Sequence, residues 1–225
     1  FGLILGVVTV LMLLEPHLSG TLLILSIGAV LMFVGGTGLQ WFGLAGGLGV
    51  GAIAAAVLAL PELVPYATDR LASWRDPFAD PLGEGHQTIQ SLYAIASGGL
   101  AGLGLGNSRQ KYLYVPEPQN DFIFSILCEE LGFLGAALAV ALFLALLLRG
   151  MSIAIRARDK FGALLAVGFV VQVVLQAILN IAVVTNTIPN TGISLPFFSS
   201  GGTSLLMLLG EMGIVLSVSR QTDAV

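Results

Sequence analysis

Charge is scarce in this chain. Nine basic and thirteen acidic residues make up 10% of 225 positions, where an ordinary soluble domain carries about 25%. With 56% hydrophobic residues and a mean hydropathy of +0.95, a soluble globular domain is excluded. So few lysines and arginines also exclude a nucleic-acid binder, which needs many cationic contacts to release counterions. Cysteine is nearly absent. Cys128 stands alone in an apolar run, which allows no intrachain disulfide and argues against a metal cluster. The net charge of -4 says little, because contact with lipid rather than a surface field governs such a chain. An initiator Met is also lacking, and residues 1–14 already form an apolar run. No basic region precedes that run and further spans follow it, so it is not a signal peptide. It reads as part of a spanning helix in a longer protein.

What the chain does have is long apolar runs. A spanning helix needs about 20 such residues, and six candidates fit: a partial one at 1–14, then about 21–37, 43–60, 122–148, 162–187 and 203–219. Barrel strands would instead alternate over segments of about ten residues. The expected fold is therefore all-α, a polytopic membrane helix bundle forming a single integral-membrane domain over 1–225. The connection 149–160 carries Arg149, Arg156, Arg158 and Lys160 against Asp159 alone, which makes it cytoplasmic by the positive-inside rule. Counting outward, 61–121 and 188–202 are extracytoplasmic and the C-terminus, with Arg220, is cytoplasmic.

The segment 61–121 is organised rather than a loose linker. Pro61, Pro65, Pro77 and Pro81 divide it, and Asp76-Pro77 and Asp80-Pro81 initiate turns. Trp74 suits a membrane–water interface. Residues 86–97 pattern as a short helix. The glycines that follow, Gly98, Gly99, Gly102, Gly104 and Gly106, end that helix. They either let backbone approach closely or offer N–H groups to an anion.

Polar side chains inside the apolar runs are few. Gln172, Gln176 and Asn180 share one face of the span 162–187. Inter-helix hydrogen bonding is the favoured reading. Glu211 lies mid-span in 203–219, where an ionisable group is a functional candidate; protonation, or pairing with an amide or an arginine in the missing part of the protein, explains it as well. Asp121, Ser125 and Glu129 would form a polar stripe if the helix began at Asp121. Glu117 stands one turn earlier, but Pro118 disfavours helix there. The uncharged stretch 189–204, with its prolines, glycines and hydroxyls, reads as a re-entrant loop lining a cleft, because irregular backbone at membrane depth must be buried in protein or hydrated.

These stretches resemble a known family. Val115-Pro116-Glu117-Pro118-Gln119-Asn120-Asp121-Phe122-Ile123-Phe124, followed by Glu129-Glu130-Leu131-Gly132, is similar to the LPExHTDFIF…EELG signature of the SEDS proteins, the FtsW/RodA family. Four further stretches resemble it in order and spacing. They are Glu15 to Thr21; Asp80-Pro81-Leu82-Gly83 through Gln87, Gln90-Ser91 and Ser97 to Leu100; Gln176-Ala177 with Asn180-Ile181; and Leu195-Pro196-Phe197-Phe198-Ser199-Ser200-Gly201-Gly202. The wording of Gly192 to Phe197 is nearer to the division and sporulation branch than to the elongation branch. There are departures. Gln119-Asn120 replace the usual His-Thr, Ser200 a Tyr, Thr203 a Ser, and His17 an Asp, so no imidazole role carries over.

The resemblance implies the C-terminal six spans of a ten-span fold with 61–121 as its large extracytoplasmic loop, in a bacterial cytoplasmic membrane. It implies polymerisation of lipid II into septal glycan strands beside a class B penicillin-binding protein and other divisome proteins. Asp121 falls on the family's catalytic aspartate. Attack of a sugar 4-hydroxyl on C1 of a second disaccharide, displacing a lipid pyrophosphate, calls for such a general base and inverts the anomeric carbon. Arg109 and Lys111 are local cations for the pyrophosphate, with a solvated loop as the alternative. A divalent cation, Mg or Mn, would take Glu117 or Asp121 as an oxygen ligand. The residues expected to touch substrate are Glu117, Gln87, Gln90, Ser91, Arg109, Lys111, Ser199, Gly201 and Gly202. A lipid II flippase and a non-catalytic scaffold are the competing readings. The motifs concentrate at 80–130 and 192–203, the outer face, which favours a polymerase. The fragment by itself is expected to be inactive.

Overall fold

A computed structural model describes residues 2–14, 18–47, 71–83, 85–111 and 119–221. Every regular element among them is helical: α1 (Gly2–Leu14), α2 (Leu18–Val34), α3 (39–47), α4 (71–75), α5 (His86–Gly98), α6 (Ile123–Ile155), α7 (Lys160–Val184) and α8 (Gly202–Arg220). Three of them, α6, α7 and α8, are long and apolar enough to cross a membrane, and Gly20–Val34 is a shorter apolar helix. Of the expected span 43–60, residues 43–47 are helical in α3 and the remainder lies outside the described residues, as do Glu117 and 61–70.

Local chemistry sets the boundaries. Gly36, at φ +89°, stops α2: its N–H bonds to Phe33 O at 3.0 Å and that of Thr37 to Met32 O at 3.0 Å, the paired bonds of a Schellman terminus. Asp159 caps α7 by accepting from Gly162 N at 3.0 Å. The connection expected at 149–160 shrinks to 156–159, because α6 continues to Ile155. Ile153 and Ala154 bury themselves against Ala166 and Val167 of α7, and Arg149 sits on the helix rather than in the loop.

α7 is the hub, touching α2, α5, α6 and α8, while α1 packs on α2. One core cluster joins Phe122, Phe124, Cys128 and Phe143 to Val173, Ala177, Val184, Leu195 and Leu208. The outward faces of α6 and α8 remain apolar, with Phe133, Leu138, Leu206 and Met207 all well exposed, as expected of surfaces that meet lipid or other spans.

α6 is two helices end to end. Gly132 has φ +67° and ψ -166°, so the helical ladder breaks there. The glycine-rich segment 99–104 repairs the break. Phe133 N and Leu134 N bond to the carbonyls of Gly99 and Leu100 at 2.8 and 3.2 Å, while Leu103 N and Gly104 N bond to those of Glu129 and Glu130 at 2.9 and 3.0 Å. Of the two readings of this glycine run, close backbone approach describes Gly98 and Gly102. A β-carbon on Gly98 would fall 2.0 Å from Cys128 O, and one on Gly102 2.1 Å from Glu130 O.

Candidate functional site

The expected site segments converge at the end of the bundle where α6 begins and α7 ends. The turn 119–122 leads into α6, whose first helical residue is Ile123, so Asp121 precedes the helix rather than starting a stripe on it. Three consecutive main-chain carbonyls of this turn are occupied. Gln119 O accepts from Ser200 N at 2.9 Å, Asn120 O from Ser199 Oγ at 2.7 Å and Asp121 O from Asn180 Nδ2 at 2.7 Å. Asn180 is fully buried, and its amide also donates to Ile193 O at 2.6 Å. Ser199 Oγ accepts in turn from Leu195 N at 2.8 Å, and Ser200 Oγ donates to Asn120 Oδ1 at 2.7 Å. Asp121 is half-buried. Its carboxylate faces Gly192, where an added β-carbon would lie 3.5 Å from Oδ2; Gly192 has φ +65°, the left-handed region that glycine reaches without strain. Asn190 ties this loop to α5, donating to Gln87 Oε1 at 2.9 Å and accepting from Gly192 N at 3.2 Å.

The stretch 185–201 re-enters the bundle. Gln176 lies eight positions before the end of α7 at Val184, about 12 Å along a helix that rises about 1.5 Å per residue. Its Nε2 donates to Ser194 O at 3.1 Å, so the loop descends to that depth. Leu195 is 1% exposed, and the Phe198 ring meets Phe143 of α6 at 6.2 Å. One turn further along α7, Gln172 Nε2 donates to Glu211 Oε1 at 3.2 Å. The amide face of α7 therefore binds α8, the re-entrant loop and the Asp121 turn in succession.

A second polar cluster ties residues 108–111 to α6. Glu129, 1% exposed, accepts from Ser108 Oγ, from Arg109 N at 3.0 Å and from Gln110 N at 3.3 Å. Glu130 Oε1 accepts from Lys111 Nζ at 2.8 Å and from Ser108 N at 3.3 Å. Successive N–H groups in such a turn are an anion-binding concavity, and here the protein's own carboxylates fill it. On the other side of α5, Ser91 Oγ lies 2.6 Å from Ser125 Oγ and donates to Val184 O at 2.7 Å. Trp74 Nε1 donates to Asn186 O at 3.1 Å, and Asn186 Nδ2 returns a bond to Trp74 O at 3.2 Å.

A family model described as a cell cycle protein, covering FtsW, RodA and SpoVE, matches residues 1–224. The chain belongs to the FtsW/RodA/SpoVE family. It is 47% identical over 206 residues to stage V sporulation protein E of Bacillus subtilis strain 168, a match that covers 92% of this chain and 55% of that protein. It is 40% identical over 222 residues to a probable peptidoglycan glycosyltransferase FtsW of Geobacter sp. strain M18, covering 98% and 59%. A similar fold occurs in a chain of a solved peptidoglycan synthase complex in which polymerization and crosslinking are coordinated. That chain is 34% identical with a TM-score of 0.75, over 100% of this chain and 62% of the other. The chain thus spans a little over half the length of the curated relatives it matches. Membership in the FtsW/RodA/SpoVE family, with three membrane-length apolar helices, makes this a multi-pass membrane protein.

Within this member of the family, the expected site residues fall into separate groups. Asp121, Asn180, Ser199, Gln87 and Gln176 belong to the convergent cluster around the re-entrant loop. Gly201 and Gly202 open α8 beneath it. Ser91 is completely buried, and its hydroxyl ties α5 to Ser125 of α6 and Val184 of α7. Lys111 is engaged by Glu130 and by Gly106 O at 2.6 Å, whereas Arg109 is exposed. Gln90 is half-buried. Glu211 is paired with an amide of this chain, that of Gln172 on α7. Asn190, Ser194 and Ser108 were missed by sequence reasoning; each is a small polar residue in an irregular stretch and carries no spacing signal. Among the described residues no group of three or more His, Cys, Asp or Glu is placed to hold a metal ion.

Proposed function

We propose that the full-length protein is a peptidoglycan glycosyltransferase that polymerises lipid II during septal wall synthesis, with Asp121 as general base. The observation that carries this reading is the convergence of the Asp121 turn, the end of α7 and the re-entrant loop 189–201 around one half-buried carboxylate. In the reaction, Asp121 takes the proton of the incoming sugar 4-hydroxyl as its oxygen attacks C1 of the second disaccharide. The C1–O bond to the lipid pyrophosphate breaks from the opposite face, which inverts the anomeric carbon. A positioned base of this kind contributes about 10²–10⁴-fold. Arg109, exposed and near in sequence, is the cation for the departing pyrophosphate; Lys111 is neutralised by Glu130. A divalent ion, Mg or Mn, would supply further charge at the pyrophosphate. Asp121 is the one described carboxylate in this cluster that would hold it.

The outer faces of α6 and α8 would meet bilayer lipid, the polyprenyl tails and a class B penicillin-binding protein. The basic residues between α6 and α7 favour a cytoplasmic position for that connection and for the C-terminus, and 61–121 and 188–202 then face the outer side of a bacterial inner membrane. A lipid II flippase would concentrate essential groups mid-bilayer. The mid-span pair Gln172–Glu211 instead satisfies itself.

The test is the full-length protein, purified and supplied with lipid II, with and without Asp121→Asn. The variant is expected to express and bind lipid II normally and to form no glycan chains. Wild-type chain synthesis by Asp121→Asn sinks the general base. Lipid II translocation without polymerisation by the native protein supports the flippase, and neither activity supports a scaffold.

A further inference from the structure

We infer that Asn180 and Ser199 are positioning residues that aim the Asp121 carboxylate, by gripping the carbonyls of the turn that carries it. This rests on the reading of Asp121 as the general base. Asp121 sits outside the helix that follows it, so the ladder of α6 does not set its backbone direction. The carbonyls of 119, 120 and 121 are instead held one by one, by Ser200 N, Ser199 Oγ and Asn180 Nδ2. The grips come from two different elements. Asn180 is anchored on α7 and completely buried, and its amide joins the Asp121 turn to Ile193 of the re-entrant loop. Ser199 does the same within the loop, accepting from Leu195 N while donating to Asn120 O. Leu195 is itself packed into the core. The turn, the loop and α7 are thereby locked into one body, and neither Asn180 nor Ser199 needs to touch substrate.

The geometry also explains why these residue types are required. At Asn180 the amide presents both of its N–H groups to two carbonyls on separate segments. Aspartate of the same shape would place an acceptor against two acceptors, and leucine would leave both carbonyls without a donor. At Ser199 a single hydroxyl must donate and accept at once, which serine and threonine do and alanine does not.

Loss of a grip lets the carboxylate wander, and a misplacement of about 1 Å at a reacting group costs on the order of 10²-fold in rate. The experiment uses the full-length protein with lipid II, comparing Ser199→Ala, Ser199→Thr and Asn180→Leu with the native chain and with Asp121→Asn. Ser199→Ala is expected to lower kcat about tenfold and Asn180→Leu about a hundredfold, on the scale of such a misplacement, with KM for lipid II unchanged within about twofold. Ser199→Thr should restore kcat, and thermal unfolding in detergent shows which variants are folded. Wild-type kcat in folded Ser199→Ala and Asn180→Leu overturns the proposal, as does a loss confined to KM or a Ser199→Ala defect that threonine fails to repair. If Asn180→Leu does not fold, the Ser199 pair decides. These failures leave the base itself standing when Asp121→Asn is inactive. A fully active Asp121→Asn removes the base and the proposal together.

Discussion

Replacing Gly102 with alanine tests the repair of the α6 break, with Gly106 as its control. Both glycines lie in the left-handed region, at φ +78° and +81°, so both alanine variants carry the same backbone cost, about 1–2 kcal/mol for an L-residue. They differ in what the new methyl meets. At Gly106 nothing lies within 4 Å, whereas at Gly102 the β-carbon would stand 2.1 Å from Glu130 O and 2.7 Å from Gly132 N. Those are backbone atoms that no rotamer change can move away. The segment 99–104 must lift off, and with it go at least the bonds from Leu103 N to Glu129 O and from Gly104 N to Glu130 O. Each contributes about 0.5–1.5 kcal/mol net. Gly106→Ala should therefore destabilise by about 1–2 kcal/mol and Gly102→Ala by about 2–5 kcal/mol. Unfolding midpoints of the two purified variants in mixed detergent–SDS micelles measure the difference. Equal destabilisation would refute the close backbone approach on which the repaired helix depends.

Two further substitutions probe the polar ties around the site. Glu129→Gln places an amide N–H₂ among donors from Ser108, Arg109 and Gln110 and loses at least one charge-assisted bond; a loss of about 1.5–3 kcal/mol is expected in the same unfolding assay. Destabilisation indistinguishable from zero would show that the buried carboxylate does not hold 108–110. Ser91→Ala removes a fully buried hydroxyl shared by Ser125 and Val184 O, which should cost about 1–3 kcal/mol and leave KM for lipid II unchanged. A raised KM in a stable Ser91→Ala protein would put Ser91 in contact with substrate and refute a purely packing role.

The helices were legible where apolar runs reach membrane length, and less so where packing overrides charge. Arg149 pointed to a loop at 149, yet a long basic side chain can reach water from a helix, and α6 continues because Ile153 and Ala154 pack on α7. The break at Gly132 had no visible signal, since one glycine in an apolar run is ordinary and its meaning depends on a segment 30 positions upstream. A separation of 19 to 22 positions likewise hid the partners of Glu129 and Glu130. Sequence pattern placed Glu129 on a polar stripe with Asp121 and Ser125; only the fold brings 108–111 onto Glu129 and Glu130. Asp121, Asn180 and the 192–203 stretch were legible as separate candidates, and their convergence was not. Gln119-Asn120 and Ser200 illustrate this best. Each departs from the family wording in its own motif, 80 positions apart, and in the folded chain Ser200 Oγ donates to Asn120 Oδ1 and Ser200 N to Gln119 O.

The interruption of α6 also divides labour along the helix. From Phe133 to Ile155 the helix rises about 35 Å at about 1.5 Å per residue, enough to cross a hydrocarbon core of about 30 Å unaided. The turns before Gly132 are thus surplus to spanning. They are fastened to α5 and to the glycine-rich segment, which also bonds the first residues of the membrane-crossing shaft, Phe133 and Leu134. The segment 99–104 bonds backbone on both sides of the break, so it splints the head of the helix to the shaft. The turn that bears Asp121 stands on the splinted head, and its grips from Asn180 and Ser199 tie it to α7 and the re-entrant loop as well.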